Sequence, residues 1–389
     1  MTVALDMTVR TKLVYVIDVL DTNLAGTENQ LIKMINGLDK GKFDVHLLCF
    51  HDHEWFRRNG GSLDCAKTII EINRFKKPST YWNILRLIRF FQKLQPDIVH
   101  TFFPVANIVG VIAARLAGVR AVVSSRRDYG EWMSDGYLTF TRLANRFASL
   151  ITTNSNSVKT LTVNVEGVPV EKVEVIYNGL DIRPFAQMKR DLDLKRRLGI
   201  PEGHRVVGVV ANFRPMKRHD TFVRAAHEVL KQYKDVDFVL VGGILAGQTP
   251  VEALGHSLGI SERLHFVGMQ EDIVPYLSIM DIGVNCSERE GQSNAIMEYM
   301  AAGVPCIVAA SGGNPDLITH NVHGLTFPLG DHRTLAERII TLLENDALAA
   351  EFARRARNKA DAELTVSAML SRYENSYRRL AASGVELNV

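Results

Sequence analysis

The chain repeats one local pattern, in which a short apolar run is followed by a longer amphipathic segment. Its first half contains five such runs, at residues 13–20, 43–50, 97–102, 121–125 and 150–154. They are rich in Val, Ile and Phe and continuous rather than alternating, which is typical of parallel strands buried on both faces. The segments between them favour helices, near residues 26–39, 79–94, 105–117, 136–148 and 155–165. This alternation predicts right-handed crossovers and a doubly wound α/β domain.

The pattern ends at residues 173–181 and then starts again. Six further apolar runs follow, at residues 205–212, 237–243, 264–268, 282–286, 305–310 and 324–328. A chain of 389 residues is also too long for one core, since single cores stop growing near ~250–300 residues. The sequence therefore predicts two α/β domains joined near residues 178–186.

Composition excludes several classes of protein. Hydrophobic residues make up 46% and charged residues 23%, which argues against a disordered or fibrous chain. The net charge of +3 is too small to indicate nucleic-acid binding, and we expect no nucleic-acid partner. The excess lies in residues 1–175, which hold 22 Lys and Arg against 17 Asp and Glu. Four cysteines without a C-x-x-C pair argue against a disulfide scaffold, and we expect a cytoplasmic protein.

Residues 287–318 are the most informative segment. Ser293 is a favourable N-cap for a helix over 294–302, which Gly303 is suited to end in the left-handed conformation. The N-terminus of such a helix attracts a diphosphate. Glu290 precedes the helix and Glu298 lies inside it, so both carboxylates can face one ligand, with a solvated loop and a surface glutamate as the alternative.

This segment resembles the signature of the family 4 retaining glycosyltransferases. Their motif has two glutamates separated by seven residues, a Gly-Val-Pro turn and a Gly-Gly turn, here Glu290, Glu298, residues 303–305 and residues 312–313. The resemblance continues at residues 96–100, 173–181, 209–220 and 280–291. It implies the GT-B fold, in which two Rossmann-like doubly wound domains face each other across a cleft. The N-terminal acceptor domain would span residues 1–180 and the nucleotide-sugar domain 181–366, with residues 367–389 as a helix crossing back to the first domain.

The resemblance also implies a reaction. A sugar would move from a UDP- or GDP-sugar to a glycan, lipid-linked or small-molecule acceptor in polysaccharide biosynthesis, with retained anomeric configuration and without a metal cofactor. By analogy, Glu298 binds the ribose hydroxyls and Glu290 the donor sugar. Backbone N–H groups around the following residues would cap the diphosphate: Gly291, Gln292, Ser293 and Asn294.

Cations are expected at the leaving diphosphate, where negative charge develops as the glycosidic bond breaks. Arg214 and Lys217 are the candidates, since arginine clamps phosphate oxygens and lysine acts as a point charge. Lys217 is therefore placed with Glu290 among the catalytic candidates. Gly268 and Met269 stand where relatives read the nucleobase through the backbone.

Several positions depart from the family pattern, among them Asp316, which follows the Gly-Gly turn where glutamate is commoner. Asn212 stands where many members have arginine, and Gln292 replaces the usual aromatic residue. Residues 126–128, Arg-Arg-Asp, follow a strand where the family often has a histidine. Arg127 is a third catalytic candidate, because a guanidinium can stabilise phosphate or carboxylate, although it cannot act as a general base. An internal Arg–Asp pair is the alternative.

The first domain offers weaker signals. Gly26 and Thr27, in a Gly-containing loop over residues 20–31, let the backbone approach phosphates or the acceptor, unless the loop is a plain strand-to-helix turn. His51 and His53 follow a strand but lack a third metal ligand at the usual spacing, so an acceptor-side loop is expected there. The D-x-D pairs at 191/193 and 235/237 are expected in solvated turns.

Residues 73–94 combine aromatic and aliphatic residues with basic ones. A helix there either covers the sheet with a charged outer face or lies on an anionic membrane as a peripheral contact. Two alternatives to a transferase also stay open at this point. One is a GT-B sugar-nucleotide epimerase, and the other is a non-enzymatic protein that binds a polyanion or polysaccharide.

Overall fold

The computed structural model describes residues 10–22, 26–72, 78–130, 134–243 and 248–382. Contacts divide the chain into two units. Unit 1 runs to Gly179 and resumes at Val366, and unit 2 is Leu180–Thr365. Unit 1 contains a seven-stranded sheet and unit 2 a six-stranded sheet, and each strand pair found in them is parallel. The prediction of two doubly wound α/β domains is confirmed.

The strands of unit 1 follow the predicted apolar runs. They are β1 (Thr11–Ile17), β2 (Phe43–Cys49), β3 (Ala66–Ile69), β4 (Ile98–Phe102), β5 (Ala121–Arg126), β6 (Leu150–Thr153) and β7 (Val173–Val175). The helices between them are α1 (Gly26–Gly37), α2 (Glu54–Asn59), α3 (Pro78–Leu94), α4 (Val111–Leu116), α5 (Asp135–Phe147) and α6 (Asn156–Asn164). The strand order is β3-β2-β1-β4-β5-β6-β7, so the direction of the winding reverses between β1 and β4. Ligands of doubly wound sheets bind at such a switch point.

Helices cover both faces of this sheet, as β1 illustrates. Leu13, Tyr15 and Ile17 lie in one core cluster with residues of α1, whereas Val14 and Val16 lie in another with residues of α3 and α4. Successive side chains of a strand point to opposite faces, so a strand covered on both sides must be apolar throughout. This explains why the strand runs are continuous in the sequence.

Unit 2 repeats the architecture. Its strands are β8 (Arg205–Val210), β9 (Val236–Val241), β10 (Leu264–Gly268), β11 (Ile282–Asn285), β12 (Cys306–Ala309) and β13 (Gly324–Phe327). Its helices are α7 (Arg183–Ala186), α8 (Leu192–Arg197), α9 (His219–Gln232), α10 (Gln248–Ser257), α11 (Val274–Ile279), α12 (Asn294–Ala302), α13 (Asn314–Leu317), α14 (His332–Glu344) and α15 (Asp346–Glu363). The order β10-β9-β8-β11-β12-β13 places the switch point between β8 and β11.

The last helix, α16 (Val366–Ala382), belongs to unit 1. Its Tyr377 is fully buried, and the phenol pairs with Nδ1 of His100 at 2.7 Å and with the hydroxyl of Tyr15 at 3.2 Å. Gly179 lies so close to α16 that an added Cβ would stand 2.7 Å from the Cα of Val366. A side chain at position 179 therefore displaces the start of the helix.

Some local features differ from the sequence predictions. β3 has an edge position and a partly exposed surface, and it was not predicted because its four residues form no apolar run. The run over 173–181 contributes only Val173–Val175 to the sheet. The helix expected over 105–117 begins as a π-helix over Ala106–Gly110 and continues as α4. Among the described residues, no helix has the length and apolar character needed to cross a bilayer.

Candidate functional site

Three loops meet at the carboxyl edge of the unit 2 sheet. The loop after β11 is held by the loop after β8, since Glu288 N donates to Met216 O at 2.8 Å. It is held on its other side by the loop after β12, where Gly313 N donates to Glu290 O at 2.9 Å. Backbone bonds at both ends fix the position of Glu290.

Glu290 and Lys217 form an ion pair in this loop cluster. The distance from Lys217 Nζ to Glu290 Oε1 is 2.8 Å, and the two side chains are 20% and 12% exposed, respectively. Nδ2 of Asn285 donates to the same carboxylate oxygen at 3.2 Å. Burial by itself raises the pKa of Glu290, but the Lys217 ammonium and hydrogen bonds from Ser287 and Asn285 outweigh it and lower that pKa below its ordinary value. Glu290 is therefore ionised at neutral pH and is a strong hydrogen-bond acceptor.

α12 begins directly after this loop. Ser293 occupies the N-cap position but makes no capping bond, and its hydroxyl accepts from Asn285 Nδ2 at 3.1 Å instead. The predicted N-cap position and the helix over 294–302 are confirmed, but the neighbouring asparagine engages the hydroxyl in place of a capping bond. The predicted end is confirmed, since Gly303 follows Ala302 with φ 69°. Glu298 lies half-buried in the second turn of α12.

The other donor-site candidates lie on neighbouring loops. Arg214 is exposed and precedes the 3₁₀ turn Pro215–Lys217, where its carbonyl accepts from Lys217 N at 2.9 Å. Gly268 ends β10 with φ 79°, and Met269 after it is largely exposed. Gly291 and Gln292 are buried, and Asn294 is half-buried at the start of α12. These positions follow strands of one parallel sheet and so share its carboxyl edge.

Asn212 has a structural role. Its Oδ1 accepts from Gly243 N at 2.9 Å, which joins the loops after β8 and β9. The backbones approach closely here, because a Cβ at Gly242 would lie 1.9 Å from Ala211 O. Asn212, which stands where many family members have arginine, thus stabilises a close backbone contact between two loops of the site.

Unit 1 has its own pocket at the carboxyl edge of its sheet. It is lined by Thr27, Phe103, Pro104, Asn107, Ser125, Arg126, Arg127 and Asp128. Of the candidates in the first loop, Thr27 therefore reaches the pocket, while Gly26 begins α1 and is exposed. Residues 23–25 of that loop lie outside the described residues.

Arg127 is held in this pocket by residues distant in sequence. Its Nη2 donates to Oδ1 of Asn178, and Tyr373 of α16 also forms a side-chain hydrogen bond with the guanidinium. Burial lowers the pKa of Arg127 from its ordinary value, while Tyr373 and Glu28 act in the opposite direction. Its buried Nε has no hydrogen-bond partner among the described residues. The side chain is positioned and retains unused donor capacity.

Arg126 has a different role. It pairs with Glu166 at 2.9 Å, and the two side chains are 5% and 0% exposed. Its remaining nitrogens donate to Ser124 Oγ and Asn145 Oδ1 at 2.7 Å each. A buried ion pair with this many hydrogen bonds is structural. The acidic partner of the Arg-Arg-Asp segment within the protein is therefore Glu166, which pairs with Arg126.

Sequence reasoning missed two residues that organise the sites. Asn285, the last residue of β11, joins Glu290, Ser293 and Asn314, and the available signal was a polar residue ending an apolar run. Asp18 follows β1, and its carboxylate accepts from Val105 N and Ala106 N at 3.0 and 2.6 Å. Burial raises the pKa of Asp18 to about 7 despite these two bonds.

Three of the remaining acidic and histidine candidates, His53, Asp191 and Asp237, have structural partners. His53 N-caps α2 by accepting from Trp55 N at 3.3 Å. Asp191 N-caps α8. Asp237 is not in a solvated turn, as had been expected, but is buried between His204 and His265 with both N–O distances at 2.7 Å. Within the described part of the chain, no group of three His, Cys, Asp or Glu side chains is arranged to hold a metal ion.

Comparison with known proteins gives matches along most of the chain. The model of the group 1 glycosyl transferases matches residues 191–359, and that of glycosyltransferase family 4 matches residues 24–183. The N-acetyl-alpha-D-glucosaminyl L-malate synthase of Bacillus anthracis is 28% identical over 74% of this chain and 75% of its own. An Escherichia coli UDP-Gal:alpha-D-GlcNAc-diphosphoundecaprenol alpha-1,3-galactosyltransferase is 27% identical over 84% of this chain and 86% of its own.

Solved structures show the same fold. HepE of Anabaena in complex with UDP superposes with a TM-score of 0.83 at 23% identity, covering 95% of this chain and 100% of that one. A Rickettsia africae glycosyltransferase gives a TM-score of 0.84 at 18% identity, covering 96% and 99%. At these identities the likeness establishes the fold alone, and the two-domain Rossmann-like architecture is confirmed.

Proposed function

Since the chain belongs to the family 4, group 1 glycosyltransferases and has their GT-B fold, we propose that it is a retaining enzyme using a UDP- or GDP-sugar. The donor class is supported by the relatives' names. The Escherichia coli relative is named for UDP-Gal, and a Mycobacterium tuberculosis relative is named a GDP-mannose-dependent alpha-mannosyltransferase.

The observation that carries the proposal is the Lys217–Glu290 pair beside the N-terminus of α12. An ionised carboxylate that accepts hydrogen bonds suits the hydroxyls of a donor sugar. The ammonium and the first-turn N–H groups of the helix suit the diphosphate, with Arg214 as a second cation. These residues supply positive charge to the leaving group, so the proposal uses no metal cofactor. Glu298, in the same helix, is assigned to the ribose hydroxyls.

The depressed pKa of Glu290 also bears on the reaction steps. A carboxylate stabilised in this way is a weak base, so we assign it to binding rather than to proton abstraction. In the proposed step, the acceptor oxygen bonds to the anomeric carbon on the face that the diphosphate leaves. The bond from that carbon to the diphosphate oxygen breaks, and a diphosphate oxygen takes the acceptor proton. The products are the glycoside and a nucleoside diphosphate.

The acceptor is proposed to carry a negative charge near its reacting hydroxyl. Arg127 lines the unit 1 pocket and is held there by Asn178 and Tyr373. Two relatives are named for acidic acceptors, L-malate in one and a diphosphoundecaprenol in the other.

A peripheral contact with an anionic membrane through residues 73–94, whose first five residues lie outside the described part, would suit an acceptor of the second kind. The free thiols of the four cysteines support a reducing, cytoplasmic setting.

The test is release of nucleoside diphosphate from a panel of UDP- and GDP-sugars, with and without acidic acceptors. Glu290→Gln should lower kcat by at least ~100-fold, since it weakens a charged contact to the reacting sugar. Glu288→Gln, two residues away and paired with Arg289, is the matched control and should keep wild-type turnover. Wild-type kinetics in Glu290→Gln would refute the site assignment. Proton NMR of the product then reports the anomeric configuration, and inversion would refute the retaining mechanism.

The two alternatives make different predictions, one in this assay and one in calorimetry. An epimerase yields an epimerised sugar and free nucleoside diphosphate without an acceptor. A non-enzymatic polyanion-binding protein gives no calorimetric signal with any sugar nucleotide.

A further inference from the structure

The side-chain amide of Asn285 uses its full hydrogen-bonding capacity at the carboxyl end of β11. Its Nδ2 donates to Glu290 Oε1 at 3.2 Å and to Ser293 Oγ at 3.1 Å. Its Oδ1 accepts from Ser287 N at 3.1 Å and from Asn314 Nδ2 at 3.3 Å. An amide has two hydrogens to donate and two lone pairs that accept, so each of them is used. The side chain, which is 2% exposed, is therefore held in one orientation.

Asn314, the first residue of α13, supports that orientation. Its Nδ2 donates to Asn285 Oδ1 and also to Ala309 O at 3.2 Å. Its own Oδ1 is buried and has no hydrogen-bond partner within the described residues, an arrangement that destabilises a folded chain unless it serves another contact. The contact served here is the one with Asn285, whose Nδ2 is thereby directed toward Glu290 and Ser293.

The bond from Asn285 to Ser293 determines how α12 begins. Ser293 occupies the N-cap position, where a serine oxygen ordinarily accepts from an N–H group of the first turn. Its Oγ accepts from Asn285 instead, and no side chain in the described part of the chain caps α12. Met297 N donates to Ser293 O at 3.3 Å, and the N–H groups of Ala295 and Ile296 belong to the turn before that bond. An uncapped first turn suits an anionic ligand.

We propose that Asn285 is a positioning residue of the donor site, which keeps the end of α12 uncapped for the diphosphate by engaging the Ser293 hydroxyl. The same nitrogen holds the Glu290 carboxylate beside that end. A serine oxygen that capped α12 would occupy an N–H group that a phosphate oxygen needs, so capping and diphosphate binding compete. The inference rests on the proposed function, because it requires a sugar nucleotide at this end of α12.

This role and a merely structural one have opposite effects on α12. Removal of a structural support loosens the helix that it supports. Removal of Asn285 instead releases the Ser293 hydroxyl, which then caps the helix and stabilises its first turn. The start of α12 should therefore become more protected while the diphosphate binds more weakly.

Replacing Asn285 with Leu removes the donated bonds and keeps a side chain of similar size. Calorimetry of the wild type with UDP and with GDP selects the nucleotide, and its monophosphate is the comparison ligand. In Asn285→Leu, Kd for the diphosphate should rise at least ~10-fold and Kd for the monophosphate less than ~3-fold, since a charge-assisted hydrogen bond is lost at the helix end. Asn285→Thr, which retains an acceptor for Ser287 N and so protects the local turn, should show the same contrast.

A second substitution tests the competition directly. Ser293→Ala added to Asn285→Leu removes the competing hydroxyl, so the double variant should bind the diphosphate at least ~3-fold more tightly than Asn285→Leu alone. Two independent losses would weaken binding further. Exchange of the Ala295 and Ile296 amides should be slower in Asn285→Leu than in the wild type and should speed up again in the double variant.

Asn345→Leu is the matched control. Asn345 caps α15 in the same unit by accepting from Leu348 N at 3.0 Å, and its loss should leave diphosphate affinity unchanged. Wild-type protein that binds neither UDP nor GDP would overturn the proposed function and this inference with it. Diphosphate affinity that both Asn285 variants preserve would overturn this inference alone. Faster exchange at Ala295 and Ile296 in Asn285→Leu, or a double variant that binds more weakly still, would make Asn285 a structural support only.

Discussion

Replacing Lys217 with Met should destabilise unit 2 in a way that depends on pH. The substitution leaves the Glu290 carboxylate buried, with hydrogen bonds from Asn285 and Ser287 but without its cation. Breaking a buried pair costs about 3–5 kcal/mol. We take the lower end, ~3 kcal/mol, because Glu290 keeps two donors and 12% of its side chain remains exposed.

The pH dependence follows from the pKa of Glu290 in each protein. In the wild type this pKa lies below the ordinary 4.5, so the pair's stabilisation is present above pH 4.5 and is lost as pH falls through the folded-state pKa. In Lys217→Met, burial is no longer opposed by the ammonium and raises the pKa. Protonation of Glu290 in the variant then removes the free-energy cost of an unpaired buried charge. The stability difference should be largest near neutral pH and should shrink as pH falls toward about 4.5.

Native-state hydrogen exchange of peptides covering β8 and β11 is the appropriate assay, because one melting curve does not separate two domains. Lys217→Met combined with Glu290→Gln should recover most of the loss, since no buried charge remains unpaired. Arg196→Met, which breaks the exposed Asp193–Arg196 pair, should change stability by less than ~0.5 kcal/mol. A coupling energy below ~0.5 kcal/mol between Lys217 and Glu290, or a loss that does not vary with pH, would refute the reasoning.

Two further predictions concern the site's supports. Tyr373→Phe removes a hydrogen bond to Arg127, so KM for an acidic acceptor should rise several-fold while donor affinity stays at the wild-type value; an equal change in both would indicate a merely structural tyrosine. Gly242→Ala places a methyl group against Ala211 O and should weaken nucleotide binding at least ~10-fold by calorimetry, because the loops after β8 and β9 must separate. Unchanged nucleotide affinity would contradict that link.

Most of the fold follows from hydrophobic patterning, because parallel strands covered on both faces require continuous apolar runs. Hydrophobic patterning does not predict an element whose formation or orientation depends on another interaction. β3 is an edge strand whose four residues are exposed or half-buried, so its sequence lacks the run. The orientation of α5 was not predictable from its own residues, because it is fixed by Asn145 reaching an ion pair formed by Arg126 and Glu166.

The candidate site was predictable where chemistry and spacing coincide in one segment, as for Glu290. It was not predictable where partners come from distant segments. Asn178, which hydrogen-bonds Arg127, lies 51 residues away in the sequence. Tyr373, the other partner of Arg127, lies in the last helix. Ser293 shows the limit of local rules, since Asn285 engages the hydroxyl that a helix-start pattern assigns to capping.

The chain passes from one unit to the other twice, and the positions of these two crossings determine how unit 2 can be exchanged as a module. Leu180 N donates to Leu364 O at 2.7 Å, and Gly179 lies against Val366, so the ends of unit 2 meet where unit 1 is interrupted. Unit 2 is thus an insertion whose two ends are closed by a backbone bond. An exchange of unit 2 between relatives needs two cuts that fall side by side in space. Recombination at that point can replace unit 2 and leave unit 1, with its last helix, intact.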